Sequence, residues 1–175
     1  MDGTSMYEVI KNAEIYGLNR VYLNSREFIT QMEELKRIKS FTIDHTVHKE
    51  GFYLSGVANG IFTYDLRFKK PNGGSYVPID AMHTIEHLFA TVVRNSNVQD
   101  KVVYFGPMGC RTGFYLLLLG IDKDEAKQLT INCMEKCLEL DYIPGCSEME
   151  CGNYKEHDLQ KAKEEIQKYL SVLKA

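Results

Sequence analysis

The stretch 51-GFYLSGVANGIFTYDLRF-68 sets the kind of fold to expect. Two strand-like runs, GFYLSGVA and GIFTYDLRF, meet at the turn dipeptide Asn59-Gly60, and runs joined in this way read as a β-hairpin. Antiparallel pairing is therefore the starting point. Within the second run Phe62, Tyr64, Leu66 and Phe68 share one face, while Thr63, Asp65 and Arg67 share the other. Arg67 thus points away from the apolar face.

Downstream, the loop KKPNGGSYVPID leads to a helical pattern, AMHTIEHLFATVVRN, with Asp80 expected as its N-cap. At about 100° per residue, Met82, Ile85, Leu88, Phe89, Val92 and Val93 fall on one broad face. Beyond it come a strand, KVVYFG, a tight PMGCRTG turn, a second strand, FYLLLLG, and two helices over about 123–140 and 158–173. Strands in irregular order with helices packed against them imply α+β, an antiparallel sheet covered by helices. Residues 1–36 carry two short helix-like segments and no site chemistry, and are expected to be an N-terminal extension that covers an edge or an interface; residues 37–175 are expected to form a single domain.

A chain of 175 residues is long enough for one sizeable core. Its net charge of −3, with no basic block denser than RFKKP, gives no footprint for nucleic acid or an anionic membrane. The start, MDGTSMYEVIKNAEIYG, lacks an export pattern, and no stretch approaches the ~20 apolar residues of a membrane span, so a cytoplasmic address is expected. Five cysteines, an odd number, do not suggest a disulfide framework in such a chain. Cys133 and Cys137 lie on one apolar helix face and read as core thiols, and Cys146 sits in a turn.

The remaining polar side of the HTIEH helix carries the chemistry. His83, Glu86, His87, Ala90 and Arg94 form a stripe opposite the apolar face. A histidine pair at i,i+4 is commonplace on helices and usually belongs to the surface or to a hydrogen bond. Here the pair shares its stripe with a carboxylate and an arginine. Two imidazoles at this spacing reach one ion from successive turns, and Glu86 stands beside them as a general acid or base. H-x-x-E-H is also the reversed zincin order, which keeps an inverzincin-type peptidase open, as it does a non-catalytic metal-binding or ligand-binding protein. A third protein ligand is needed, and the candidates are His45, His48, His157, Cys110, Cys151 and several carboxylates. Cys151 stands out, in a short loop before the last helix. Cys110, between Gly109 and Arg111 in a turn, reads as an accessible thiol whose anion nearby positive charge favours.

Five motifs in order, SFTIDHT at 40–46, YDLRFKKPN at 64–72, HTIEHLFA at 83–90, GPMGCRTGFYL at 106–116 and ECGNYKEHDL at 150–159, closely resemble the S-ribosylhomocysteine lyases, the LuxS family. The resemblance runs from about residue 37 to the end. It implies a divalent metal held by His83, His87 and Cys151, taken to be Fe(II) in the cell and often replaced by zinc or cobalt. It also implies Cys110 as the catalytic cysteine, Glu86 as the acid/base and Arg67 as the group that steadies the thiolate. Ser40, His45 and Arg94 match positions near the substrate.

The implied activity is cleavage of S-ribosylhomocysteine to homocysteine and 4,5-dihydroxy-2,3-pentanedione, the precursor of a quorum-sensing signal, by carbonyl migration and β-elimination. The implied assembly is a homodimer with active sites at the subunit interface. Two departures accompany the resemblance: Tyr104 stands where many members have an aspartate near the substrate's amino-acid end, and the first 36 residues are longer than the usual start.

Overall fold

The computed structural model describes residues 39–175. The two helix-like segments expected within residues 1–36 lie outside the described residues. The chain divides into two compact units, Met1–Thr42 and Ile43–Ala175. The described part of the first is a short 3-10 turn, Lys39–Thr42.

In the second unit, β1 (Gly51–Ala58) and β2 (Ile61–Arg67) form the expected hairpin. Asn59 and Gly60 both take positive φ, 52° and 76°, the left-handed pair that lets a two-residue turn follow the twist of its strands. The strands β3 (Val102–Pro107) and β4 (Gly113–Leu119) complete an antiparallel sheet in the order β1-β2-β4-β3. Gly113 pairs with Arg67, and a Cβ there would sit 2.2 Å from the Leu66 carbonyl oxygen, so only glycine lets β4 start this close to β2.

Three α-helices pack on this sheet among the described residues: α1 (Ile79–Arg94), α2 (Lys123–Glu139) and α3 (Leu159–Lys174). Asp122 caps α2 by accepting from the backbone N–H groups of Asp124 and Glu125, and Asp158 caps α3 through Lys161 N–H. Asp80 is not the cap expected of it. The helix starts two residues earlier than expected, at Ile79 after Pro78, and Asp80 lies in the first turn, where its carboxylate accepts from Ala81 N–H and pairs with Lys161 at 2.6 Å. Pro78, with φ −57° and ψ 145°, holds the cap position, and no side chain caps the helix there.

The core forms where the inner face of the sheet meets the helices. Tyr64, Leu66, Phe114, Leu116 and Leu118 from the strands meet Ile85, Leu88, Phe89 and Val93 of α1 and Ile166, Tyr169 and Leu170 of α3. Cys133 and Cys137 are buried in it, as their helix face suggested. No described helix is long and apolar enough to cross a membrane.

Candidate metal centre and reactive cysteine

On α1 the polar stripe stands as the 3.6-residue period requires. His83, Glu86, His87 and Ala90 are half-buried and Arg94 is exposed, while Ala81, Met82, Ile85, Leu88, Phe89 and Val93 are buried. The ring centroids of His83 and His87 are 4.8 Å apart. Cys151, on the loop that leads to α3, places its sulfur 3.4 Å from His83 Nε2. A fourth donor joins them. His157 Nε2 lies 3.7 Å from the same sulfur, its ring stacks on that of His83 at 4.0 Å, and the four ligand atoms all fall within 4.8 Å of one another.

Protons can be assigned around this cluster from what each partner is able to do. His83 Nδ1 lies 3.0 Å from the Glu156 carbonyl and His87 Nδ1 lies 2.8 Å from that of Pro144. A carbonyl only accepts, so both Nδ1 atoms carry hydrogen, and in the neutral rings the lone pairs sit on the Nε2 atoms. Metal-binding imidazoles are oriented by such outer partners, and this is the observation that fits the cluster to a divalent ion. Imidazoles with one thiolate suit zinc or iron. Partial burial and the neighbouring His83 and His87 push the His157 imidazole down to about 4, so it is neutral at physiological pH.

Glu86 lines one cavity with His83, His87, Arg94 and Cys151, and a second with His83, Met108, Gly109 and Arg111. Among the described residues its carboxylate has no hydrogen bond or ion pair, which leaves it free to exchange protons with a bound molecule.

Cys110 is built differently. It lines another cavity, with His45, Asn72, Tyr76, Arg111 and Thr112, in which neither Glu86 nor the metal cluster takes part. Its thiol is 3.0 Å from the Thr112 hydroxyl. Arg67 donates through Nη1 to that hydroxyl and through Nη2 to Asp65. With its oxygen already accepting from Arg67, the hydroxyl can turn its own hydrogen toward the sulfur. Partial burial pushes the thiol up, but the Thr112 hydroxyl and N–H, together with the Arg67 charge, outweigh it and hold the thiol below its ordinary value. Arg67 leaves the apolar face as its strand parity demanded, yet it is buried, paired with a buried Asp65.

The residues marked out in the sequence therefore fall into groups. His83, His87, Cys151, Glu86 and Arg94 meet in one cavity, and Cys110 with His45 meets in another, backed by Arg67. The side chain of Ser40 lies outside the described residues. Two partners were missed. Thr84, buried on α1, and Thr112 carry signals only in their placement next to a histidine and two residues after the cysteine. The peptidase alternative would take a distant glutamate as its third ligand, and here a thiol and an imidazole stand in that place.

The sequence model of S-ribosylhomocysteinase (LuxS) matches residues 38–175. The chain belongs to the LuxS family. Among its relatives, the S-ribosylhomocysteine lyase of Borreliella burgdorferi (strain ZS7) is 49% identical over 146 residues, covering 79% of this chain and 93% of that protein. That of Desulfotalea psychrophila (strain LSv54 / DSM 12343) is 45% identical, covering 78% of this chain and 91% of its own length. The LuxS match begins at residue 38, so the cluster on α1, the Cys110 turn and the loop with Cys151 and His157 all lie inside it.

Proposed function

We propose that this LuxS-family chain cleaves S-ribosylhomocysteine to homocysteine and 4,5-dihydroxy-2,3-pentanedione, with residues 37–175 as the catalytic domain and 1–36 as an extension. The observation that carries the reading is the pairing of a His83, His87 and Cys151 cluster with Glu86, unpartnered among the described residues, beside it and an acidified Cys110.

His83, His87 and Cys151 would hold the ion. We take Fe(II) as the ion loaded in the cell, with zinc or cobalt as replacements. When bound, it supplies Lewis acidity toward the carbonyl and hydroxyl oxygens of the opened sugar. Glu86 takes a proton from one sugar carbon and returns one to its neighbour, so the carbonyl moves along the chain. After two such shifts the carbonyl stands β to the sulfur. Removal of one more proton then breaks the carbon–sulfur bond, and homocysteine leaves as a thiol. Cys110 shares these transfers, and Arg67 and Thr112 favour its thiolate between them. Arg94, exposed at the rim of the Glu86 cavity, and His45, in the Cys110 cavity, are positioned to meet the substrate's polar groups.

A homodimer is the assembly that fits this reading. Glu86 also lines a cavity with Gly109 and Arg111, which flank Cys110, but Cys110 itself lines a separate one, and a second copy that brings the cavities together would serve a substrate that needs both. The outer face of the sheet, where Ile61, Thr63, Leu117 and Leu119 are only partly covered or exposed, offers apolar area for that contact. An aqueous cytoplasmic location suits an enzyme of this kind with no membrane-spanning helix among its described residues.

The test is thiol release from S-ribosylhomocysteine by metal-loaded protein prepared without oxygen, beside Cys110→Ala and Glu86→Gln variants. Release by the wild type with loss of about 10²-fold or more in each variant is expected. A fully metallated wild type that releases no thiol would refute the reading, and Tyr104 would be the first position to examine for a changed substrate.

A further inference from the structure

Asp65 lies on the outer face of the sheet, opposite Tyr53 of β1 and Tyr115 of β4, yet it is 2% exposed. Arg67, two residues further along the same face, pairs across both strands with glycine, Gly51 and Gly113, so no cross-strand side chain flanks it. Charged groups on an outer face ordinarily meet water. This pair is covered, and His48, from the segment ahead of β1, is one of the side chains that reach it. The His48 ring packs against that of Tyr53 with centroids 4.4 Å apart, and the Tyr53 hydroxyl donates to the Lys49 carbonyl at 3.1 Å, which ties the segment to β1.

A buried charge needs partners. Asp65 Oδ2 accepts from Arg67 Nη2, while Oδ1 has no hydrogen bond among the described residues. His48 Nε2 is also buried without a hydrogen bond of ordinary geometry among those residues, and it lies 3.5 Å from the same Oδ2. A ring lone pair aimed at a carboxylate would be repelled, so this nitrogen carries hydrogen and turns it toward the oxygen that Arg67 also uses.

The arrangement reaches Cys110. Arg67 Nη1 donates to the Thr112 hydroxyl, which lies 3.0 Å from the Cys110 sulfur. The Asp65 charge works against a thiolate there, both by repelling it and by offsetting the guanidinium. A donor that draws on Asp65 weakens both effects. No neighbour supplies this in place of His48. The phenols of Tyr115 and Tyr169 are raised by burial and by the Asp65 charge and stay neutral, and His45, its ring 6.3 Å from that of His48, has Nδ1 2.9 Å from the Ile43 carbonyl.

We infer that His48 is a positioning residue for the Cys110 thiolate: its Nε2–H holds the Asp65 carboxylate and leaves more of the Arg67 charge to act on the thiol. This rests on Cys110 as the reactive thiol of the proposed lyase and adds a group outside its cavity that sets its acidity.

The experiment is alkylation of Cys110 against pH in the full-length protein, read by peptide mass spectrometry, for the wild type, His48→Phe and His48→Gln. Phenylalanine keeps a ring on Tyr53 without a donor, and glutamine keeps a donor without the ring. His48→Phe should raise the midpoint by about half a pH unit, and His48→Gln should retain the wild-type value. The buried thiols of Cys133 and Cys137 report folding in the same digest, and His48→Leu replaces His48→Phe if they react. Coincident profiles for the wild type and the donorless variant would overturn the inference, as would equal shifts in the donorless variant and His48→Gln, which would assign the effect to packing. A wild-type midpoint in the ordinary thiol range would overturn it together with the acidified Cys110. Alkylation needs neither metal nor substrate, so a chain that releases no homocysteine would refute the lyase reading without altering this readout.

Discussion

The thiol of Cys110 lies 3.0 Å from the hydroxyl of Thr112, which in turn accepts from the buried guanidinium of Arg67. Its folded-state acidity is therefore raised, and the thiolate is lost only as pH falls through a value below the ordinary thiol range. Alkylation of Cys110, followed by peptide mass spectrometry against pH, should be half-maximal below that ordinary value. Thr112→Val should move the midpoint upward, and coincident profiles would remove Thr112 from the account. Burial pushes Cys133 and Cys137 up to about 11 and about 12, so both should stay unmodified across the same range.

Two inactive variants should complement each other. If Cys110 of one copy serves the Glu86 of another, a mixed dimer of Cys110→Ala and Glu86→Gln contains one site with both residues intact. Co-refolding or subunit exchange of the two should restore up to about a quarter of wild-type thiol release, since half of the dimers are mixed and each has one good site. No recovery in a verified mixed dimer would mean that both residues act within one chain.

Removing Arg67 should be costly because of what it leaves behind. Asp65 is 2% exposed and its carboxylate is paired with Arg67. Arg67→Leu should destabilise the fold by about 3–5 kcal/mol in urea unfolding, as when one member of a buried pair is removed. The double variant Arg67→Leu with Asp65→Leu should lose less than Arg67→Leu alone. A double variant that is as damaged as the single one would place the loss in packing rather than in the stranded charge.

Glu165 ties α3 to the end of β2 through Lys69, at 2.5 Å, and to the next turn through Lys168, at 2.8 Å. Burial pushes its carboxyl up, yet the bonds from Lys168 and Lys69 prevail and its folded value is lowered. Its contribution to stability is then full above the unfolded glutamate value and is lost as pH falls through the folded one. The stability difference between wild type and Glu165→Gln should shrink across that acidic window. A difference that is flat with pH would show that the pairing is neutral overall.

Local periodicity was enough for much of this protein. The Asn59-Gly60 hairpin, the two faces of α1 and the burial of Cys133 and Cys137 follow from spacing alone, because each depends on neighbours within a few residues. The boundaries of α1 were less legible, since Pro78 can open a helix without the polar cap that Asp80 resembled.

The metal cluster shows where that reach ends. Spacing on α1 paired His83 with His87, Cys151 stood out among the possible third ligands and was the one the family resemblance implied, and His157 was one candidate among several. Only the packing of the loop before α3 against α1 brings them within bonding range, across a sequence separation of 68 between His83 and Cys151. The same holds for Arg67. Strand parity turned it from the apolar face, but its burial against Asp65 and its reach to Thr112, 45 residues away, come from the β2 and β4 pairing. A side chain's direction is written in its local repeat, whereas its partners depend on which distant segments the core brings together.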